Sequence, residues 1–140
     1  MKILVAVDGS AYTRRMLAYL AAHDEWLGAN HDYTVLNVVA PLPARAVAVI
    51  DRGVLRAHYT ETAETVFKPI RAFFARQKIA AAFVAKVGSP GEVIAAQATK
   101  GKFDLLMLGS RGHGTLGSLV LGSVATKVMA GCETPVLVIR

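Results

Sequence analysis

"MKILVAVDGSAYTRRMLAYLAA", residues 1–22, reads as a buried strand that turns directly into a helix. Ile3 to Val7 is an unbroken apolar run with no polar alternation. A strand covered on both faces has that pattern, and such strands belong to parallel sheets flanked by helices. Asp8-Gly9-Ser10 ends the run, Ser10 is a suitable N-cap, and Met16, Leu17, Leu20, Ala21 and Leu27 then recur near the helical period. A strand of this kind followed by an amphipathic helix is the first half of a βαβ unit.

The unit repeats along the chain. "YTVLNVV" (33–39), "AAFVAKV" (81–87), "FDLLML" (103–108) and "PVLVI" (135–139) are further short strands rich in Val, Ile and Leu. Between the second and third, Leu55, Tyr59, Ala63, Val66, Phe67, Ile70 and Phe74 form a helical stripe, in which Pro69 predicts a kink. "SPGE" (89–92) predicts a capping box, with Ser89 at the N-cap, Pro90 at N1 and Glu92 at N3. A last helix is expected from Ser123 to Ala130, with Gly131 as its C′ residue. The order βαβαβαβαβ calls for a mostly parallel sheet with helices on both faces and right-handed crossovers. Residues 40–52, "APLPARAVAVIDR", are the one long connection and are expected to be a surface loop, either a flap over a site or a spacer.

A chain of 140 residues is expected to form one domain, 1–140, and 54% hydrophobic against 19% charged residues with a mean hydropathy of +0.42 excludes disorder. The net charge of +6 admits nucleic acid, an acidic membrane surface or a small polyanion as partner. Lys and Arg are scattered, with no run of four and no interleaved aromatics, so nucleic acid is not expected. The lone Cys132 cannot form an internal disulfide and reads as a small loop residue. The five-residue apolar start is too short for a signal peptide, and no run reaches the ~18 apolar residues of a span. A cytoplasmic protein with no membrane partner is expected.

The chemistry concentrates in "GSRGHGTLGSLVLGS" (109–123), five glycines and four hydroxyl side chains directly after the fourth strand. In an open parallel sheet, ligands bind beyond the carboxyl ends of the strands where the order reverses, here between strands 1 and 4. Glycines allow main-chain N–H groups to face a phosphate at φ values closed to other residues. The helix that starts at Gly122-Ser123 adds unsatisfied N–H groups and a partial positive charge. Arg111 and Lys127 are candidates for charge-assisted contacts. Asp8 is a candidate for a ribose hydroxyl or a Mg²⁺ ligand, or else a cap for the turn into the first helix. Nothing matches a Walker A loop. "GHGTLG" (112–117) spells G-x-G-x-x-G, but it follows the fourth strand instead of the first, and the next strand ends in Arg140 where an acidic residue is required, so the match is accidental.

The spacing left, Gly109-x2-Gly112-x9-Gly122-Ser123, together with "ILVAVDGS", "VLNVV", "GSPGEVI", "DLLMLGSRGHG", "VLGSVATKVM" and "PVLVIR", resembles the universal stress proteins of the adenine-nucleotide-binding type over the whole chain. The resemblance implies an α/β fold, an open doubly wound five-stranded parallel sheet in the order 3-2-1-4-5. It implies ATP or another adenine nucleotide as cofactor, with which the Mg²⁺ considered above for Asp8 would enter. Ala6, Val7 and Asp8 would lie along the adenosine and Val38 against the adenine. Gly109, Ser110, Arg111, Gly112 and His113 would wrap the ribose and phosphates, and Gly122, Ser123 and Val124 would meet the phosphates. Ala125 offers no hydroxyl, which would weaken one contact. The resemblance also implies a homodimer through the last strand, Pro135 to Arg140. The choice among ATP, ADP, AMP and a cyclic nucleotide stays open.

No Ser/His/Asp order or H-E-x-x-H spacing accompanies the loop, and His113 is its only histidine. The expected function is therefore a nucleotide-binding stress-response regulator acting as a homodimeric switch. Two alternatives are a slow ATPase or autophosphorylating enzyme, with Ser110, Thr115, Ser118 or Ser123 as acceptor, and a dimeric scaffold that carries no nucleotide.

Overall fold

A computed structural model of the protein describes residues 1–114 and 121–140. Five strands form one all-parallel sheet in the order β3-β2-β1-β4-β5: β1 (Lys2–Ala6), β2 (Asp32–Val39), β3 (Ala81–Val87), β4 (Leu105–Gly109) and β5 (Val136–Ile139). The helices are α1 (Ala11–Ala22), α2 (Asp24–Leu27), α3 (Ala44–Val49), α4 (Arg52–Arg76), α5 (Pro90–Lys100) and α6 (Ser123–Gly131). No helix among the described residues is long and apolar enough to cross a membrane.

The apolar run of β1 follows from its central place. Ile3 and Val5 point into a core shared with α1 and α4, where Met16, Leu20, Phe67, Ile70 and Phe74 are buried. Leu4 and Ala6 point into the opposite core, with Ile94 and Ala98 of α5 and Ala125 and Val128 of α6. Alternate side chains thus meet two layers of helices, and from Ile3 to Ala6 neither face of the strand has a polar position.

Several local expectations change. Leu27 is buried, but it belongs to the short α2 rather than to the first helix, which ends at Ala22. α4 continues through Pro69. The carbonyl left without a donor there is that of Thr65, an exposed residue open to water. Ser89 is the N-cap of α5, but its side chain makes no capping bond, and Glu92 pairs with Lys127 at 3.0 Å instead. That ion pair also takes Lys127 away from the phosphate role. Gly131 is the last residue of α6 rather than its C′ residue, and it does not take a left-handed φ. Residues 40–52 hold the helix α3, none of whose residues is buried. Thr115 and Ser118 lie outside the described residues, as does Gly117.

Candidate functional site

The order reverses at β1, whose neighbours are β2 on one side and β4 on the other, so a crevice opens where the chain leaves the carboxyl ends of β1 and β4. After Ala6 the chain stays with β2: Val7 N–H donates to Leu36 O at 2.9 Å and Asn37 Nδ2 donates to Val7 O at 2.9 Å. Gly9 then turns the chain with φ +77, against Val66. Asp8 sits between these two constraints. Its Oδ1 accepts from Ser10 N at 2.9 Å and from Thr13 Oγ1 at 3.0 Å, while its own N–H donates to Thr13 Oγ1 at 3.1 Å. The second oxygen, Oδ2, faces Gly112, where an added Cβ would lie 2.7 Å from it.

On the other side of the crevice, Ser110 N–H donates to Ile139 O at 2.7 Å, and Gly122 N–H donates to Ser110 O at 2.6 Å. The loop is therefore pinched at its base. Ser110 itself is buried, 2% exposed, and does not line the cavity. From Arg111 to Gly114 the main-chain N–H groups have no protein acceptor among the described residues, and the same holds for Ser123, Val124 and Ala125 at the start of α6. His113 reaches back across the crevice, with Nε2 2.6 Å from Asp8 O. A carbonyl only accepts, so Nε2 carries the proton.

The glycines act differently from the expectation. None of Gly109, Gly112, Gly114 and Gly122 has a positive φ. Close approach is what three of them require: a Cβ at Gly109 would lie 2.6 Å from Tyr12 Cβ, one at Gly112 would meet Asp8, and one at Gly122 would lie 3.2 Å from Arg111 Cα and 3.3 Å from Ser110 O.

Between these walls lies a cavity of about 350 Å³. Its lining combines apolar side chains, Val38, Leu108, Pro90, Ile94 and Val124, with the polar Asp8, Arg111, His113 and Ser123. Ala6, Val7, Gly109, Gly112 and Gly122 complete the lining among the residues proposed from sequence. Thr13, Pro90, Ile94, Leu108 and Gly114 were not anticipated; Thr13, Pro90 and Ile94 reach the cavity only through the way α1 and α5 seat against the sheet. Ala125 also lines the cavity and is 2% exposed, its methyl group packed in the α5–α6 core. No residue of 40–52 reaches the cavity, so a flap by that segment is not seen. Among the described residues no three His, Cys, Asp or Glu side chains are grouped as metal ligands.

The family model described as "Universal stress protein family" matches residues 1–140. The chain belongs to the universal stress protein family. A universal stress protein of Thermus aquaticus, encoded in the QAH/OAS sulfhydrylase 3' region, is 33% identical over 138 residues, 99% of this chain and 97% of that one. The solved structure of hypothetical protein MJ0577 superposes with a TM-score of 0.81 at 25% identity, over 99% of this universal stress protein and 94% of that chain. A universal stress protein in complex with cAMP (TM-score 0.64, 20% identity, 100% and 96% covered) shares the fold. So does a family member from Arabidopsis thaliana with AMP bound (TM-score 0.70, 16% identity, 99% and 90% covered).

Proposed function

We propose that this universal stress protein binds an adenine nucleotide, ATP foremost, in the β1–β4 cavity and acts as a nucleotide-responsive regulator in the stress response. The carrying observation is that two sets of amides with no protein acceptor among the described residues, Arg111–Gly114 and Ser123–Ala125, belong to residues that line one cavity together with the apolar Val38, Leu108 and Ile94. Unpaired N–H groups at a helix start favour an anion, and an apolar slot beside Val38 and Ile94 suits a flat base. Relatives of the same fold bound to cAMP and AMP support the reading.

Asp8 Oδ2 needs its own account, because a carboxylate beside phosphates is repulsive unless a hydroxyl donor or a cation lies between. A ribose hydroxyl or a Mg²⁺ ion carried by the nucleotide meets that need. Mg²⁺ would supply charge neutralisation there, and with no cluster of three His, Cys, Asp or Glu among the described residues most of its ligands would come from phosphate and water. Regulation then follows from population shift: ATP can act only by favouring one arrangement of the 109–114 strand end and the α6 start over another. A slow ATPase or autophosphorylating enzyme is the second reading: water would take the γ-phosphoryl group in the first case, and Ser123, exposed at the cavity, would take it in the second, with ADP leaving in both, whereas Ser110 is buried.

The test begins with mass spectrometry of ligand released from the purified protein and calorimetry with Mg-ATP. An adenine nucleotide should come off, or heat should be seen on addition. Gly122→Val places a side chain against Arg111 and into the phosphate end, and should weaken binding at least tenfold, on the order of 1.4 kcal/mol. A thermal melt shows that the variant is folded. No released ligand together with no heat from ATP, ADP, AMP or cAMP would overturn the proposal.

A further inference from the structure

The segment between β2 and the body of α4 carries chemistry that the nucleotide cavity does not use. α3 buries none of its six residues. Of seven large hydrophobic side chains exposed among the described residues, three lie within eight positions: Val47, Val49 and Val54. Val49, at 84% exposed, is the most exposed of them. Arg45, one helical turn before Val49, and Arg52 and Arg56 on α4 are exposed as well. Asp51 is the only acidic residue from 40 to 60, and its Oδ1 is taken by Gly53 N at 2.8 Å and Val54 N at 3.4 Å.

The arginine positions follow the helix period. On α4 the stripe that buries Ala63, Phe67, Ile70 and Phe74 continues N-terminally as Tyr59, Arg56 and Arg52, so it turns cationic where the helix leaves the body. Tyr59 still rests on the core and its hydroxyl accepts from Leu42 N–H at 3.0 Å. From there to Arg52 the helix extends about 10 Å. Because α4 joins two parallel strands, it runs against them, and this end projects past their carboxyl edge with α3 at its tip.

A cationic tip of this shape does not suit a second copy of a chain with net charge +6, since like charges would meet. A bound peptide would want a groove, and residues 40–62 line neither the β1–β4 cavity nor the shallower α5–α6 groove. A deformable anionic surface accepts a convex apolar tip ringed by arginine. We infer that the 40–56 arm docks peripherally on an anionic lipid bilayer, the valines entering the headgroup boundary and Arg45, Arg52 and Arg56 meeting lipid phosphates. The expectation of no membrane partner excluded spanning and took this segment for a loop; the exposed helix is what revises it. The inference is independent of the nucleotide reading.

The test is co-sedimentation of the full chain with vesicles of phosphatidylcholine alone and of phosphatidylcholine mixed with phosphatidylglycerol. Binding to the mixed vesicles only, reversed by added salt, is expected. The variant Arg45→Ala/Arg52→Ala/Arg56→Ala should lower partitioning roughly a hundredfold, from the energy of three cations at the surface. Val49→Ser/Val54→Ser should lower it severalfold without changing charge. Lys68→Ala/Arg76→Ala/Lys100→Ala, which removes the same charge from other exposed positions, should leave it within about twofold. No binding to the mixed vesicles overturns the inference, as does equal loss in the two triple variants or indifference to the serine pair. Capture of polyglutamate by the arm with vesicles left unbound would also overturn it and would assign the surface to an acidic polypeptide.

Discussion

At Asp8 the two carboxylate oxygens have separate neighbours, and this allows their roles to be measured apart. Oδ1 holds the turn through Ser10 N and Thr13 Oγ1, and Thr13 is buried, so losing the carboxylate leaves polar groups unpaired inside the fold. Asp8→Ala should therefore cost about 1–3 kcal/mol in denaturant unfolding. Asp8→Asn keeps an acceptor at Oδ1 and should cost less than about 1 kcal/mol. The charge, however, is gone in both. If Oδ2 serves a nucleotide-borne Mg²⁺, Asp8→Asn should bind ATP equally with and without Mg²⁺, while the parent chain binds Mg-ATP more tightly. Calorimetry in magnesium and in EDTA decides this, and an unchanged magnesium dependence in Asp8→Asn would return Oδ2 to the ribose.

At the scale of elements, β2 is fastened to α2 by one buried contact: Tyr33 Oη donates to Leu27 O at 2.5 Å, and Phe74 lies edge-on to the Tyr33 ring. Burial pushes the Tyr33 hydroxyl from 10.0 up to about 12. The group is neutral in the fold and ionises more readily once unfolded. Its stabilising share is therefore complete below pH 10 and is lost as pH rises through 12. Two pKa units correspond to about 2–3 kcal/mol. Tyr33→Phe should unfold with a flatter alkaline pH dependence between those values, at a cost near neutral pH of about 1 kcal/mol for the unpaired Leu27 carbonyl. A parent and variant with parallel alkaline profiles would assign the alkaline loss elsewhere.

The same scale shows what was legible in the chain and why the rest was not. β1 and β4 could be read because a strand between two helical layers has no polar face, and α1 because Ser10 and the Met16–Leu20 stripe mark its start and its buried side. α3 left no such mark, for a helix that buries nothing has no apolar period to read. The "SPGE" capping box was a local pattern overruled by a tertiary one, as Glu92 meets Lys127 of α6. The glycine spacing pointed to a loop that lines the cavity, but the reason for the glycines is different. Tyr12, Asp8 and Arg111 crowd Gly109, Gly112 and Gly122, and those contacts come from other elements.

For the molecule as a whole, the two sheet edges differ in a way that bears on self-association. β3 presents exposed Lys86, and Arg71 lies 4.2 Å over the Phe83 ring, so cations guard that edge. β5 lacks such a guard along Val136–Val138. Its Pro135 and Ile139 carbonyls accept from Leu106 and Ser110 of the β4 side, so Val136 and Val138 direct their main-chain groups outward. A homodimer through Pro135–Arg140 would pair these groups. It would also reach the cavity, because Ile139 O holds Ser110 N–H and Ser110 O holds Gly122 N–H at the base of the glycine loop. Val138→Pro removes one outward donor and leaves the β4 ladder intact, a change that edge strands tolerate. Sedimentation is then expected to show a dimer for the parent chain and a folded monomer for the variant, and calorimetry to show nucleotide affinity reduced severalfold in the variant, since the strand that holds Ser110 would lose its partner. A parent chain that sediments as a monomer, or a variant that stays dimeric, would move any dimer contact off β5; a monomeric variant with unchanged affinity would leave the contact there and remove its link to the cavity.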